Sequence, residues 1–276
     1  MSTIASRTSF LDASLAATKA EPSAKREIGR WTPELGCPRG VLVTGATRRI
    51  GRAVAVELGR LGWHVVVHHR SSCPDADATC AQIRASGGDA EIVQGDFEAE
   101  DIEGVFGRAV EAAGPMGLLI NNASIYEWDD LNGMTQAAWM RHQTVNSLAP
   151  VVLMQAFAQA LPKGSRGSIV NIVDSRVLGN RSRHFSYSMS KAGLWTATRL
   201  LARELAPRVR VNAIGPGPTL PEAGQTEEDF WQRCARLPLG RPASPQDIAD
   251  TVAFLVQTPS ITGQFLALDG GDHLID

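Results

Sequence analysis

The apolar positions of the chain change character near Gly40. Before it, Ser, Ala, Thr and scattered charge follow one another with little periodicity, which predicts a flexible or loosely docked extension over residues 1–38. Beyond it, short and almost wholly apolar runs alternate with stretches in which apolar residues recur every three or four positions. The runs are GVLVTG, GWHVVVHHR, AEIVQGD, MGLLINNAS, GSIVNIVDS, VRVNAIGPG and GQFLALDGG. Helical spacing covers Ile50 to Leu61, Ala78 to Ala85, Ile102 to Ala113, Met140 to Ala160 and Ser186 to Leu205. Strands that are apolar on both faces and separated by helix-length segments predict a parallel sheet covered on both sides. The expectation is a doubly wound α/β fold, a single domain over residues 39–276, with no internal repeat.

In such sheets ligands sit beyond the carboxyl ends of the strands, near the point where strand order reverses. The unusual sequences cluster at those ends: TGATRRIG, HHRSS, GDF, NNASIY, VDS and GPGPT. The first is a strand-to-helix turn, Gly45-Ala46-Thr47-Arg48-Arg49-Ile50-Gly51, whose helix N-terminus would offer free N–H groups to a pyrophosphate. Glycine turns of this kind also occur with no ligand. After the second strand, a cofactor lacking a 2′-phosphate would call for Asp or Glu, and this chain has His69, Arg70 and Ser71. That basic, hydroxyl-bearing cluster favours NADP(H) over NAD(H), with Arg48 adding to the positive field. The alternative is that Arg48 and Arg49 are simply solvated at a helix start.

In SYSMSK, Tyr187 and Lys191 stand one helical turn apart and project from one face. An ammonium beside a phenol favours the phenolate, so the spacing predicts a lowered Tyr187 pKa and a usable general acid. A Tyr/Lys pair at this spacing also arises by chance.

Taken in order, TGATRRIG, GDF, NNAS, Asn146 in VNSLAP, VDS, Tyr187-x-x-x-Lys191 and IGPGP resemble the short-chain dehydrogenase/reductases, over residues 40–276. The resemblance implies a Rossmann-type core, a nicotinamide cofactor and a proton relay. In that relay Asn146 holds a helix kink and a water, Lys191 binds the nicotinamide ribose and Tyr187 gives the proton. It also implies that Asp96 with Phe97 meets the adenine, that Asn122, Ala123 and Ser124 line the cofactor site, and that Pro216 and Gly217 meet the carboxamide. GPGPTLPEAG would begin a substrate lid, and a homotetramer is usual in the family.

Two departures narrow the resemblance. Asp174 stands where most members have serine, and Arg49 where most have glycine. Together with HHRS and NNAS, these are similar to the pteridine reductase branch. There Tyr126 would stack on a pterin opposite the nicotinamide, Ser124 and Arg49 would contact pterin or phosphate, and Asp174 with Tyr187 would pass a proton to a ring nitrogen. Other readings of these residues are an Asp174 ion pair with Arg176 or Arg181, and a Tyr126 that is only a lid residue. The expected function is NADPH-dependent reduction of a pterin or dihydropterin C=N bond. Its rivals are a ketoreductase of the same fold and a non-catalytic NADP-binding sensor.

Composition only removes other classes. Of 276 residues 43% are hydrophobic and 20% charged, and a net charge of -2 leaves no bulk basicity for nucleic acid or an anionic membrane. No run approaches the ~18 apolar residues of a membrane span. Cys37, Cys73, Cys80 and Cys234 show no CxxC or metal spacing, so reduced thiols in a cytoplasmic protein and no metal site are expected. The first residues are poor in acids, which leaves an organelle transit peptide as an alternative. Trp31 is a candidate for pinning the extension to the fold, while His64, His68, His184 and His273 carry no assigned role.

Overall fold

The computed structural model of the chain describes residues 36–71, 74–99, 101–179, 183–222 and 224–275. The expected extension lies outside them apart from residues 36–38, as do Trp31, Cys73 and Arg181. Each of the seven apolar runs forms a strand: β1 (Gly40–Val43), β2 (His64–His69), β3 (Asp89–Gln94), β4 (Met116–Asn121), β5 (Gly167–Ile172), β6 (Val209–Pro216) and β7 (Phe265–Leu268). They make one sheet in the order β3-β2-β1-β4-β5-β6-β7, with every neighbouring pair parallel. The chain builds outward from β1 to β3 and then crosses back to β4. The reversal of strand order therefore falls between β1 and β4, and opens a crevice at their carboxyl ends.

The helices are α1 (Arg49–Arg60), α2 (Pro74–Ala85), α3 (Ile102–Ala113), α4 (Gln136–Gln143), α5 (Ala149–Ala160), α6 (Phe185–Glu204), α7 (Glu227–Cys234) and α8 (Pro245–Gln257). Successive strand residues point to opposite faces, so Val41, Val43, Val65 and Val67 pack with Val54 and Leu58 of α1 and with Ile248 and Val252 of α8. Leu42 and Val66 face the other way, into a core with Phe106 of α3, Leu153 of α5 and Leu194 of α6. Each such side chain contributes roughly 1.5–3 kcal/mol through burial. This two-sided burial matches the mostly apolar inner strands, while β3 at the edge exposes Asp89, Glu91, Ile92 and Gln94.

Three features depart from the sequence reading. α8 was not expected, although Ser244 and Asp247 form a reciprocal capping box with Pro245 in the first turn. α7, capped by Thr226, was not expected either. The helix expected over Met140 to Ala160 is two helices joined by a π-helical segment, Thr144–Leu148. Among the described residues no helix is long and apolar enough to cross a membrane, and no group of three or more His, Cys, Asp or Glu could hold a metal ion.

Candidate active site

The turn between β1 and α1 is shaped by close approach. Gly45 has φ +62, and a Cβ on Gly51 would stand 2.2 Å from the Gly45 carbonyl oxygen. α1 starts without a side-chain cap and without an acid in its first turn. Arg52 N, donating to Arg48 O at 3.2 Å, is the first helical amide to find a carbonyl. The N–H groups of Arg49, Ile50 and Gly51 precede it and lack helical acceptors, which makes this end an anion cradle. Thr44 Oγ1 accepts from the amides of Asn122 and Ala123, each at 2.9 Å. The Asn122 side chain donates to Thr44 O (2.8 Å) and Gly45 O (3.0 Å). Asn122 was expected to line the cofactor site; it lines the pocket, and its side-chain N–H groups also hold the turn in shape.

A residue the sequence reading left without a role also acts here. His68 is buried, and its Nδ1 accepts from Gly45 N at 3.2 Å while Nε2 lies 3.0 Å from Gly95 O. An acceptor Nδ1 leaves the proton on Nε2, which donates to the carbonyl. One neutral imidazole thus ties the turn after β1 to the loop after β3. Burial pushes its pKa down to about 4.

At the end of β2, Arg70 and Ser71 are exposed. Arg70 Nη1 stands 3.9 Å from Glu98 Oε2. His69, expected to join that pair, is buried, and its Nδ1 is hydrogen-bonded to Ser71 O, so it stabilises the loop. Asp96 Oδ1 accepts from Glu98 N at 3.0 Å. Phe97 is 6% exposed and stacks on His68 with ring centroids 4.6 Å apart, so its ring belongs to the core and its main chain is what can meet a ligand.

Arg48 is exposed at the cap of α1. Arg49 adopts φ 52, uncommon for a residue with a side chain, and its guanidinium donates to Pro221 O (2.9 Å) and Leu220 O (3.2 Å). This arginine, expected to meet phosphate or pterin, lines the pocket and also holds the segment after Gly217 against it. Pro216 and Gly217 line the pocket, as do Thr219, Leu220 and Glu222 beyond them. α7 adds Arg233, 3.3 Å from Glu222 and 4.0 Å from Asp272, a contribution with no signal in the motifs.

The acid–base groups converge from two elements. Asp174, just past β5, caps a short 3₁₀ turn: Oδ1 accepts from Arg176 N at 2.8 Å and Oδ2 from the Tyr187 hydroxyl at 2.8 Å. The alternative of an Asp174 ion pair with Arg176 is not what forms, because the Arg176 side chain donates to Tyr126 Oη (2.9 Å) and Arg183 O (3.4 Å). One turn along α6, Lys191 is 2% exposed and donates to Ile172 O at 2.9 Å. That bond uses one of three ammonium protons, and Lys191 lines the pocket. Its Nζ is 5.8 Å from the centre of the Tyr187 ring.

The expected lowering of the Tyr187 pKa is reversed. Burial and then the negative charge of Asp174 hold it well above the usual phenol value. Burial also brings Lys191 down to about 8, with Asp174 opposing. Spacing alone showed the ammonium and missed both the burial and the carboxylate that receives the phenol's hydrogen bond.

Asn146 sits in the π-helical segment, completely buried. Its Oδ1 accepts from Ile125 N (2.9 Å) and Ser124 Oγ (3.1 Å), and its Nδ2 donates to Ile125 O (3.0 Å) and Ser190 Oγ (3.1 Å). With both amide protons and both lone pairs engaged, the side chain has no capacity for the expected water, which would have to meet the main chain. Ser124 and Tyr126 line the pocket beside it. α6 is anchored at its start by Asp129, whose carboxylate accepts from Ser186 N at 3.2 Å and from the Ser186 hydroxyl. This fixes Tyr187, the next residue.

A glycine-lined anion cradle, an exposed arginine after β2 and a buried ammonium with unused protons fit a phosphorylated dinucleotide. Residues 45–273 match the family model described as Enoyl-(Acyl carrier protein) reductase. The FolM alternative dihydrofolate reductase 1 of Brucella suis, solved in complex with NADP, is 44% identical with a TM-score of 0.83, covering 87% of this chain and 96% of that one. An uncharacterized oxidoreductase of Methylorubrum extorquens is 37% identical over 241 residues, 83% of this chain and 96% of the relative. A 3-oxoacyl-[acyl-carrier-protein] reductase of Synechocystis is 33% identical over 237 residues, 83% of this chain and 95% of the relative. On these matches, the chain belongs to the short-chain dehydrogenase/reductase family.

Proposed function

We propose that the protein is an NADPH-dependent reductase of a pterin or dihydropterin C=N bond. The observation that carries this reading is the 2.8 Å hydrogen bond between Tyr187 Oη and Asp174 Oδ2 at the pocket wall. Reducing C=N requires a hydride at carbon and a proton at nitrogen. NADPH, when bound, supplies the hydride. The Tyr187–Asp174 pair supplies the proton: a phenol whose pKa is held high keeps its proton until a basic ring nitrogen is presented, and the partly exposed carboxyl can take a replacement from solvent. Lys191, a buried cation, offsets the negative charge left on the pair. The resemblance to the NADP-bound FolM structure of Brucella suis supports the same substrate class.

In the cofactor site the reading gives the α1 cradle to the pyrophosphate, Arg70 and Ser71 to the 2′-phosphate, and Lys191 to the ribose. A lysine near pKa 8 is charged below that pH and neutral above it. With NADPH varied, kcat/KM should therefore fall as the pH rises through about 8, because this ratio reports groups of the free enzyme. A flat profile up to about pH 10 would show that no cofactor-binding group of the free enzyme titrates near 8.

Curated relatives named 3-oxoacyl-[acyl-carrier-protein] reductases favour a second reading, a carbonyl reductase of the same fold. NADPH consumption with dihydropterin, dihydrofolate and a β-ketoester separates the two. Turnover of the pterins is expected; preference for the ketoester would replace the first reading with the second. NADPH binding without turnover of any of them would leave a sensor.

A further inference from the structure

Tyr126 and His184 lie 58 positions apart and meet face to face, with ring centroids 4.1 Å apart and planes inclined by 16°. Tyr126 Oη is 3.0 Å from His184 Nε2. The other imidazole nitrogen, Nδ1, is 3.0 Å from Glu127 O. A carbonyl only accepts, so Nδ1 carries the proton and Nε2 is left to accept from the Tyr126 hydroxyl. The main chain adds a third tie, His184 N donating to Asp129 O at 2.8 Å. All three partners belong to the loop 126–129, which carries Tyr126.

The backbone at His184 is left-handed, φ 57 and ψ 54, immediately before α6. Side-chain-bearing residues adopt this conformation at a cost, and it persists where surrounding contacts enforce it. Tyr126 lines the pocket and His184 does not. The Tyr126 ring also stands edge-to-face with Tyr187, centroids 4.7 Å apart and planes at 84°, and accepts from Arg176 at its hydroxyl. One aromatic wall of the pocket is thereby fixed in angle relative to the phenol that donates the proton.

We propose that His184 is a positioning residue: by stacking on Tyr126 it sets the plane of that wall and makes the pocket select a flat heterocycle over a flexible acyclic substrate. The proposal rests on the pterin reading above. A wall free to swing would fit both substrate shapes equally, whereas contact with a planar ring needs a fixed opposing plane. Preorganisation of this kind acts on substrate affinity and leaves the proton relay as it is.

His184→Asn tests it, since asparagine tolerates left-handed backbone and has no ring to stack. The expected result is a KM for dihydropterin raised about tenfold, with kcat within about twofold, and unchanged NADPH affinity and ketoester KM. Because His184 acts through Tyr126, the substitution should add nothing in a Tyr126→Ala background. Additive effects, or equal effects on pterin and ketoester, overturn the proposal. Fluorescence titration of an oxidised pterin into NADP⁺-saturated protein gives a reading independent of turnover. Weaker binding to the variant, with no pterin reduced by the wild type, would sustain this role and sink the pterin reductase reading. Undiminished binding with normal wild-type turnover would do the reverse, and a wild type that neither binds nor reduces pterin would remove both.

Discussion

Tyr187→Phe should bind NADPH as tightly as the wild type and turn over at least about a hundredfold more slowly, within the ~10²–10⁴ range that a positioned acid contributes. The substitution removes one hydroxyl and little else. The ring remains 6% exposed and keeps its edge-to-face contact with Tyr126. Lys191 keeps its bond to Ile172 O, and the α1 cradle is untouched. What disappears is the only hydroxyl bonded to Asp174 Oδ2 among the described residues. Stopped-flow fluorescence for NADPH binding and steady-state rates with dihydropterin make the comparison. A variant that turns over normally would show that the proton reaches the substrate by another route.

The second large effect is expected at Asp174. Asparagine has the same shape, and its oxygen can still accept from Arg176 N, so the 3₁₀ turn at Ser175–Leu178 should survive. Its amide cannot accept the Tyr187 hydroxyl through nitrogen, carries no charge and holds no exchangeable acid proton. Pterin turnover of Asp174→Asn should drop by about two orders of magnitude, the scale of a lost acid–base group. The sign of a second change follows from the cause of the Tyr187 shift. Asp174 raises the phenol pKa, so removing its charge should bring that pKa down. An ultraviolet difference titration of the tyrosinate band reads this in a Tyr126→Phe background, where Tyr187 is the one tyrosine left in the chain. Full activity in the variant would mean that the carboxylate serves only to cap the turn, and the pterin reading would lose its main support.

The inner strands were legible because a parallel sheet buried on both faces leaves short, nearly continuous apolar runs. Helices α1, α2, α3, α5 and α6 were legible through apolar residues recurring at helical spacing, whereas α4 buries only His142 and packs on α6 and the π-helical segment. α8 carried a signal too, in Ser244-Pro245 followed by Asp247, which the sequence reading did not take up. The π-helical break at Thr144–Leu148 left no trace in the hydrophobic period; the kink at Asn146 was expected only from the resemblance, and there the buried Asn146 side chain pairs with Ile125 and Ser190. Adjacency within a helix gave Tyr187 and Lys191 correctly. The sign of the Tyr187 shift was not accessible that way, because it is set by burial and by a carboxylate 13 positions away. The same limit hid the target of Arg49, whose guanidinium reaches carbonyls 171 and 172 positions further along the chain.

His68 has a consequence for how the molecule meets acid. Histidine in an unfolded chain titrates near ~6.5, and in the fold this one is pushed down to about 4. The folded form therefore takes up fewer protons than the unfolded form across that interval, and stability present above it is lost as the pH falls through it. Charging the imidazole would turn the acceptor of Gly45 N into a donor facing a donor, with His69 and Arg108 adding repulsion and Asp96 opposing it. Acidification toward that pH would thus weaken the tie that His68 makes between the turn after β1 and the loop after β3.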